Sequence, residues 1–187
     1  MRFVAGTLLA MASMAAAGLP ALTVDDVSNA ADHSTGRVSP GEIVVIAVPG
    51  VGPEILVGQL LDAQNRVTTE LAGMRVLFDG VSAPVSYVVR GQVSVVVPYE
   101  VAGHASTAVV VEYQGERTEP VTIPVVAAAP ALFTLDGSGR GQAGMLNQSG
   151  CCNSAANPAA RGTLASLYAT GEGQTRPRGQ TGRVSAY

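Results

Sequence analysis

The chain has 187 residues, which is enough for one domain of ordinary size or two small ones. Apolar residues make up 47% of it and charged residues 13%, a balance that supports a packed core and excludes a disordered chain. A net charge of -3 gives no electrostatic reason to expect nucleic acid or an anionic membrane surface as a partner. With aromatic residues at 4% and no Trp, stacked bases or sugars are also disfavoured.

Residues 1–22 have the features of a signal peptide. Arg2 precedes an uncharged stretch rich in Ala, Leu and Met, and Ala15-Ala16-Ala17-Gly18 is a small-residue run suited to signal peptidase. A transmembrane anchor is the alternative, but the stretch is borderline in length and rich in weakly apolar Ala and Gly. We expect export, with cleavage between about Gly18 and Leu22, and a secreted or cell-surface protein.

The chain that follows begins with a polar lead-in and one short strand. Residues 23–37 predict an extended lead-in, and Ser39-Pro40-Gly41 is a turn signal. Residues 42–48 are mostly β-branched and predict a buried strand. In residues 54–73 the leucines have helix-like spacing, but Gly58 interrupts it and no cap frames it, so we predict a long loop with one helical turn at most.

A continuous β pattern starts at Met74. Residues 75–78 and 81–89 flank Asp79-Gly80, a two-residue hairpin signal, so each is predicted to be one strand. The alternation places three residues on one face of the second strand: Val85, Tyr87 and Val89.

Residues 92–97 are predicted to form a central strand. Val93, Val95 and Val97 alternate with Ser94 and Val96, and Pro98 ends the pattern because it offers no N–H. Apolar strand patterns lie on both sides of this stretch in the sequence. We therefore expect its valines at the centre of the core.

Two further strands are predicted around the tight turn Gln114-Gly115. Residues 107–113 turn Val109, Val111 and Tyr113 inward and Glu112 outward. Residues 117–126 carry Pro120 and Pro124 in their alternate set, which favours an edge strand, with Val121, Ile123 and Val125 on the other face. Six or seven short strands without intervening helices predict an all-β antiparallel sandwich over residues 38–126.

A second β unit is predicted for residues 127–187. Residues 41–53 align without a gap on residues 162–174, so that three glycines fall on glycines, Ile43 on Leu164 and Ile46 on Leu167. At the same offset the partner of the first unit's hairpin would lie beyond Tyr187. We therefore expect an incomplete repeat that self-associates or stays mobile beyond Pro130.

Several stretches together resemble an uncharacterised C-terminal domain family of secreted acidobacterial proteins. They are Asn29-Ala30-Ala31, Val38-Ser39-Pro40-Gly41-Glu42-Ile43-Val44, Val76-Leu77-Phe78-Asp79-Gly80-Val81-Ser82-Ala83-Pro84, Val97-Pro98-Tyr99-Glu100-Val101-Ala102-Gly103, Gly137-Ser138-Gly139-Arg140-Gly141-Gln142, Asn157-Pro158-Ala159-Ala160-Arg161-Gly162 and Tyr168-Ala169-Thr170-Gly171-Glu172-Gly173-Gln174. The first unit is also similar to the immunoglobulin-like IPT/TIG class. The resemblance implies a secreted, tandem immunoglobulin-like module, and it implies no catalytic residues.

Cys151 and Cys152 are the only cysteines, and they are adjacent. In an exported protein they are either a vicinal disulfide, whose eight-membered ring strains the intervening peptide, or two loop thiols without a role. His33 and His104 are far away in sequence and no Cys-x-x-Cys pair exists, so we predict no zinc site, no other metal site and no cofactor.

Other chemistry-bearing residues have ordinary interpretations. His104 lies in a predicted loop, and Glu112, Glu116 and Glu119 are expected on a solvated outer face. Residues 137–141 are rich in glycine like a phosphate-binding loop but lack the Lys-Ser/Thr that follows one. Asp136 alone is too little for calcium, and Asn147-Gln148-Ser149 is an N-glycosylation sequon by pattern only.

The sequence favours a secreted, non-catalytic immunoglobulin-like module that serves adhesion or recognition of a surface protein or glycan. The alternative is a structural spacer that supports a partner domain of a larger exported protein. A hydrolase accessory or an enzyme is a distant third, since there is no Gly-x-Ser-x-Gly nucleophile elbow. Expected partners are therefore an unknown surface protein or glycan and a second copy, without nucleic acid.

Overall fold

The computed structural model describes residues 18–184 and shows an all-β protein, as the sequence predicts. Within that range the only helices are two 3₁₀ turns, Val24–Asp26 and Tyr99–Val101, and none is long and apolar enough to cross a membrane. The strands are β1 (Val27–Asn29), β2 (Ile43–Val48), β3 (Val57–Gly58), β4 (Met74–Phe78), β5 (Val81–Ser82), β6 (Val85–Val89), β7 (Gly91–Val96), β8 (Ser106–Tyr113), β9 (Glu116–Arg117), β10 (Val121–Pro124), β11 (Ala131–Leu132), β12 (Met145–Asn147), β13 (Ala165–Leu167) and β14 (Ala169–Thr170).

Two antiparallel sheets face each other across one core. The first has the strand order β1-β2-β7-β6-β3, and the second has the order β10-β8-β4-β5 with β9 paired to β8. β7 is the middle strand of the first sheet, which confirms the predicted central strand. Its Val93 and Val95 are fully buried in the same cluster as Phe78 and Val111 of the second sheet.

The strand alternation builds this core. In β2 the side chains of Val44, Ile46 and Val48 are buried while their neighbours are half-buried, and β4 buries Met74, Val76 and Phe78 in the same way. Each such side chain contributes roughly 1.5–3 kcal/mol when it leaves water. The sheets are therefore held by period-two patterns that the sequence displays directly.

The predicted strand over residues 81–89 is wrong, because the chain changes sheets in the middle of it. β5 pairs with β4 in the second sheet across the predicted Asp79-Gly80 turn, whereas β6 pairs with β7 in the first sheet. Buried Ala83 and the following Pro84 form the corner between them. Alternation along one chain carries no information on which sheet the strand joins.

The predicted inward face of β6 is also wrong. Val85 and Val88 are buried, whereas Tyr87 and Val89 are only half-buried. The register with β7 shifts between Val85 and Tyr87, so the side chains beyond the shift turn to the opposite face.

The prediction of an extended lead-in over residues 23–37 is wrong as well, because part of this segment belongs to the first sheet. β1 pairs antiparallel with β2, and both Val27 and Ala31 are buried. Residues 1–17 of the predicted signal peptide lie outside the described residues, but Leu19 and Leu22 at its end pack against the core. The sandwich therefore starts upstream of residue 38.

The remaining first-unit predictions are largely confirmed. Asp79-Gly80 and Gln114-Gly115 are two-residue hairpin turns whose four φ angles are positive, at 49°, 81°, 51° and 90°, as this turn type requires. β10, flanked by Pro120 and containing Pro124, is an edge strand as predicted, although it is shorter than the predicted 117–126. Residues 54–73 are mostly loop, with β3 in place of any helical turn.

We call residues 127–184 the trailing segment. It contains two separate two-stranded sheets, β11 with β14 and β12 with β13. The segment therefore contains β structure, but only in four strands of two or three residues each. Its C-terminal part returns to the sandwich, where the Val67 N–H donates to the Gly182 carbonyl at 2.8 Å.

Candidate functional site at the sandwich junction

A buried carboxylate lies where the trailing segment meets the sandwich. Glu42 is 1% exposed, and its Oε2 accepts hydrogen bonds from the Ser39 N–H (2.6 Å) and the Ser39 hydroxyl (3.1 Å). Its Oε1 accepts one from Asn29 Nδ2 at 2.8 Å. Burial raises the pKa of the Glu42 carboxyl, and the hydrogen bonds from Ser39 and Asn29 act against that rise. The sequence places this group directly before β2, so it is carried on a rigid strand end.

Asn29 connects this carboxylate to the trailing segment. Its Oδ1 accepts the Ala31 N–H at 2.8 Å, and its Nδ2 also donates to the Ala129 carbonyl at 3.3 Å. Nearby, the Ile43 N–H donates to the Thr170 hydroxyl at 2.6 Å, which ties the start of β2 to β14. Two hydrogen bonds, from Asn29 to Ala129 and from Ile43 to Thr170, therefore join the sandwich to distant parts of the chain.

Tyr99 forms a second connection. Its hydroxyl donates to Glu172 Oε1 at 3.1 Å and its backbone N–H donates to the Thr181 hydroxyl at 2.9 Å. Its ring lies against both Gly41 and Gly179, so closely that a Cβ at either glycine would overlap the ring. Burial, followed by the Glu172 carboxylate, raises the pKa of the Tyr99 phenol.

Two cavities flank Glu172. One of about 330 Å³ is lined by Pro40, Gly103, His104, Val125, Glu172 and Gln174 among others. The other, of about 260 Å³, is lined in part by Gly41, Ile43, Pro130, Thr170 and Glu172. The first presents an imidazole and a carboxylate on mostly apolar walls, a lining that suits contact with a ligand and offers no hydroxyl or thiol nucleophile.

His104, predicted as a loop histidine, is held by Asp79. Its Nδ1 lies 3.2 Å from Asp79 Oδ2, while Asp79 Oδ1 accepts the Ala108 N–H at 2.8 Å. The Ala108 N–H and His104 hold the pKa of the Asp79 carboxyl below its usual range. This pair fixes the β4–β5 turn to the start of β8.

The glycine-rich loop at residues 137–141 contacts the first unit. A Cβ at Gly139 would lie 2.7 Å from Asp32 Cα, and His33 Nε2 lies 2.8 Å from the Gly137 carbonyl oxygen. Asp136 accepts hydrogen bonds from the Ser138 hydroxyl and N–H, which lower the pKa of its carboxyl. Among residues 18–184, no three His, Cys, Asp or Glu side chains are grouped as a metal site would require.

Cys151 and Cys152 are both free and exposed in the structure. They lie in a turn between β12 and β13, in which the Asn147 N–H donates to the Cys151 carbonyl at 2.9 Å. The vicinal disulfide stays a prediction. Asn147, the sequon asparagine, uses its side chain within this turn, donating to the Asn157 carbonyl and accepting from Asn153.

The expectation of a solvated Glu112 is wrong. Glu112 is 8% exposed because Arg75, with Nη1 at 3.4 Å, and Arg117 close over its carboxylate from neighbouring strands. Glu116 and Glu119 are exposed as expected. The burial of Glu112 depends on an arginine opposite it on each neighbouring strand. The sequence does not show this arrangement until the strand register is known.

The residues that the sequence did not single out are those of the junction itself, Asn29, Glu42, Tyr99, Thr170 and Glu172. All of them lie inside the stretches that carry the family resemblance, and the fold brings those stretches together. Comparisons of this chain with known family models, curated proteins and solved structures each found no match.

Proposed function

We propose that this chain is a secreted, non-catalytic recognition module of the immunoglobulin-like, IPT/TIG-type class, related to the acidobacterial C-terminal domain family that it resembles. Its partner is a protein at the cell surface. The observation that carries the proposal is the distribution of exposed apolar side chains.

The large apolar side chains that are exposed to solvent are concentrated outside the sandwich strands. Among the described residues, the exposed ones are Ile55, Leu56, Leu60, Leu61, Leu132, Leu135, Leu164, Leu167, Tyr168 and Val184. Sets of exposed aliphatic groups on a folded protein mark interaction sites, whereas isolated ones are ordinary. The grouping therefore favours a binding role.

Five of these side chains belong to the trailing segment, and we refer to them together as the leucine surface: Leu132, Leu135, Leu164, Leu167 and Tyr168. The backbone places three of them on paired strands or beside them, with Leu132 opposite Ala169, Leu167 opposite Met145, and the Tyr168 carbonyl bonded to the Phe133 N–H. Leu164 is 76% exposed. Only one aromatic ring is present, so a protein partner is favoured over a glycan, which stacks on aromatic faces.

The test is binding of the full chain to immobilised, purified envelope proteins and envelope polysaccharides. We expect saturable binding to a protein that is lost when Leu164, Leu167 and Tyr168 are changed together to Ser. The matched control is Val184→Ser, which removes an exposed aliphatic side chain outside the leucine surface and should leave binding unchanged. No saturable binding to any probe by a cooperatively folded chain would overturn the proposal.

A structural spacer is the second candidate, and the junction favours it. Asn29, Thr170 and Tyr99 use their polar groups to join the sandwich to the trailing segment, as a unit that holds two parts in fixed relation requires. If the protein is a spacer, we expect it to bind no ligand, and we expect junction variants to disorder the trailing segment strongly. Absence of binding together with that effect would favour the spacer.

A further inference from the structure

The first sheet has an edge that lacks the usual protection. β3 is its last strand and, among the strands of residues 18–184, pairs only with β6. The chain around it, residues 55–61, contains no charged residue, and Ile55, Leu56, Leu60 and Leu61 are 81%, 58%, 55% and 50% exposed. Natural edge strands are usually blocked by charge, proline or a covering loop, because an open edge pairs with another strand.

Among the described residues, the backbone at this edge has no partner strand on its outer side. The Thr68 N–H donates to the Leu60 carbonyl at 3.0 Å and the Asp62 N–H donates to the Arg66 carbonyl at 2.8 Å, so Leu60 and Asp62 point their peptide groups inward. Successive residues of a strand point to opposite sides, so Leu61, and by the same alternation Gln59 and Val57, point theirs outward. Neither Gln59 nor Leu61 donates its N–H to a backbone carbonyl of the described residues.

The sequence of this edge reads nearly the same in both directions. Residues 55–61 are Ile-Leu-Val-Gly-Gln-Leu-Leu, with Gly58 at the centre. An antiparallel partner with the same sequence, related by a two-fold axis at Gly58, would place Ile55 opposite Leu61 and Leu56 opposite Leu60. The outward-pointing peptide groups of Val57 and Gln59 would then meet as a hydrogen-bonded pair.

We propose that two copies of this chain associate through residues 55–61, pairing antiparallel about a two-fold axis at Gly58. A self-complementary patch is what a two-fold interface requires, since the same surface must face itself. The two five-stranded sheets become one continuous sheet of ten strands. The exposed aliphatic side chains then lie beside one another across the two copies, Ile55 with Leu61 and Leu56 with Leu60, as cross-strand pairs.

The charges at the two ends of the edge do not oppose this pairing strongly. The axis brings Glu54 of one copy opposite Asp62 of the other. Glu54 already pairs with Arg90, and Asp62 accepts the Gln64 and Arg66 N–H groups at 2.8 and 2.9 Å. Both carboxylates therefore have partners before the copies meet. This interface is separate from the leucine surface, so the inference stands independently of the proposed function.

A site-specific cross-link tests the axis in the full chain. Gly58→Cys is introduced together with Cys151→Ser and Cys152→Ser, so that residue 58 carries the only thiol. A Cβ at Gly58 meets nothing within 4 Å, so the fold accepts it. Facing Cα atoms in a non-hydrogen-bonded pair lie about 4.5 Å apart, within the range that a disulfide spans. Under oxidised glutathione we expect rapid formation of a covalent dimer.

The matched control is Gln64→Cys in the same background, an exposed turn position off the edge. It measures cross-linking by random collision and should be much slower. If Gly58→Cys forms dimer no faster than Gln64→Cys, the proposed axis is wrong.

A second measurement uses sedimentation equilibrium of the full chain. Leu56→Lys with Leu60→Lys places like charges across the axis and should raise the dimer dissociation constant at least about tenfold. Leu164→Lys, on the leucine surface, should leave it unchanged. A monomeric wild-type chain, or dissociation caused by Leu164→Lys and not by the edge variant, overturns the proposal. Unchanged thermal unfolding of each variant confirms that the fold is intact.

Discussion

The sandwich and the trailing segment are both built from short strands, yet they are stabilised in different ways. Nearly every buried apolar side chain belongs to the sandwich, and Ala129 is the only one that the trailing segment contributes among the described residues. The trailing segment is attached instead through polar and backbone contacts at the junction, such as those of Asn29, Thr170 and Tyr99. Strand formation alone therefore does not make a region independently stable, because a two-stranded sheet without a buried face is marginal.

The largest expected difference between the two regions comes from adding a charge to each. Val95→Asp places a carboxylate at a fully buried site without a partner and should cost more than about 4 kcal/mol, enough to unfold the chain. Leu164→Asp, at a side chain that is 76% exposed, should change stability by less than about 0.5 kcal/mol. Urea unfolding of both variants checks this. Near wild-type stability of Val95→Asp would contradict the core assignment.

Truncation tests whether the sandwich is independent of the trailing segment. A fragment of residues 18–126 retains β1 and both sheets, so we expect cooperative unfolding. A fragment of residues 38–126 lacks buried Val27 and Ala31 and the Asn29 partner of Glu42, so it should be less stable by several kcal/mol, about 3 or more. Calorimetry of the two fragments makes the comparison. Equal stability would show that β1 contributes nothing.

Asn29→Ala breaks the connection between the two regions. It leaves the Ala31 N–H without its acceptor and removes the donors to Glu42 and Ala129, so we expect a loss of about 2–3 kcal/mol. Hydrogen exchange should increase around Ala129 and Thr170 more than in β7. Gln64→Ala is the control, because Gln64 lies in an exposed turn away from the junction. If hydrogen exchange increased only in β7, the role of Asn29 would lie inside the sandwich.

Gly171→Ala should detach the trailing segment with little effect on the sandwich. Its Cβ would overlap the Ala129 carbonyl oxygen, whereas a Cβ at Gly150 meets nothing within 4 Å. Both glycines have φ near 80°, so Gly150→Ala carries the same backbone strain of about 1 kcal/mol and is a matched control. We expect faster hydrogen exchange at β11 and β14 in Gly171→Ala only. Equal effects of the two variants would mean that backbone strain alone acts.

The smallest expected difference in stability is between variants of two aspartates, Asp79 and Asp136, whose carboxyl pKa values are both lowered in the fold. Asp79 joins a turn to β8, whereas Asp136 bonds only within its own loop. A carboxyl whose pKa falls on folding adds stability above its unfolded pKa of 3.8, and this is lost as the pH falls through the lower folded value. Asp79→Asn should therefore cost less than about 1 kcal/mol at neutral pH and nothing in strong acid, given its exposure.

Asp136→Asn is the control for that measurement and should leave global stability unchanged at either pH, because its partners lie in the same loop. Denaturant titrations at neutral pH and in strong acid give both values. A cost for Asp79→Asn that persists in strong acid would show that the ionised carboxylate is not its source.

Much of the sandwich could be predicted because its information is local. Val93, Val95 and Val97 alternate with a period of two, and Asp79-Gly80 and Gln114-Gly115 have the residues that tight hairpin turns need. The all-β class and the central position of β7 follow from such patterns. They require no knowledge of what the chain folds against.

The sheet change at Ala83-Pro84, the shifted register of β6 and the burial of Glu42 and Glu112 were decided only by the tertiary structure. A corner looks like one continuous strand in sequence, and a register shift turns side chains over without changing the residue pattern. Glu42 and Glu112 are buried because Asn29, Ser39, Arg75 and Arg117 reach them from elsewhere in the chain. Local alternation follows from the geometry of one strand, whereas the burial of a polar group depends on partners that only the complete fold brings within hydrogen-bonding distance.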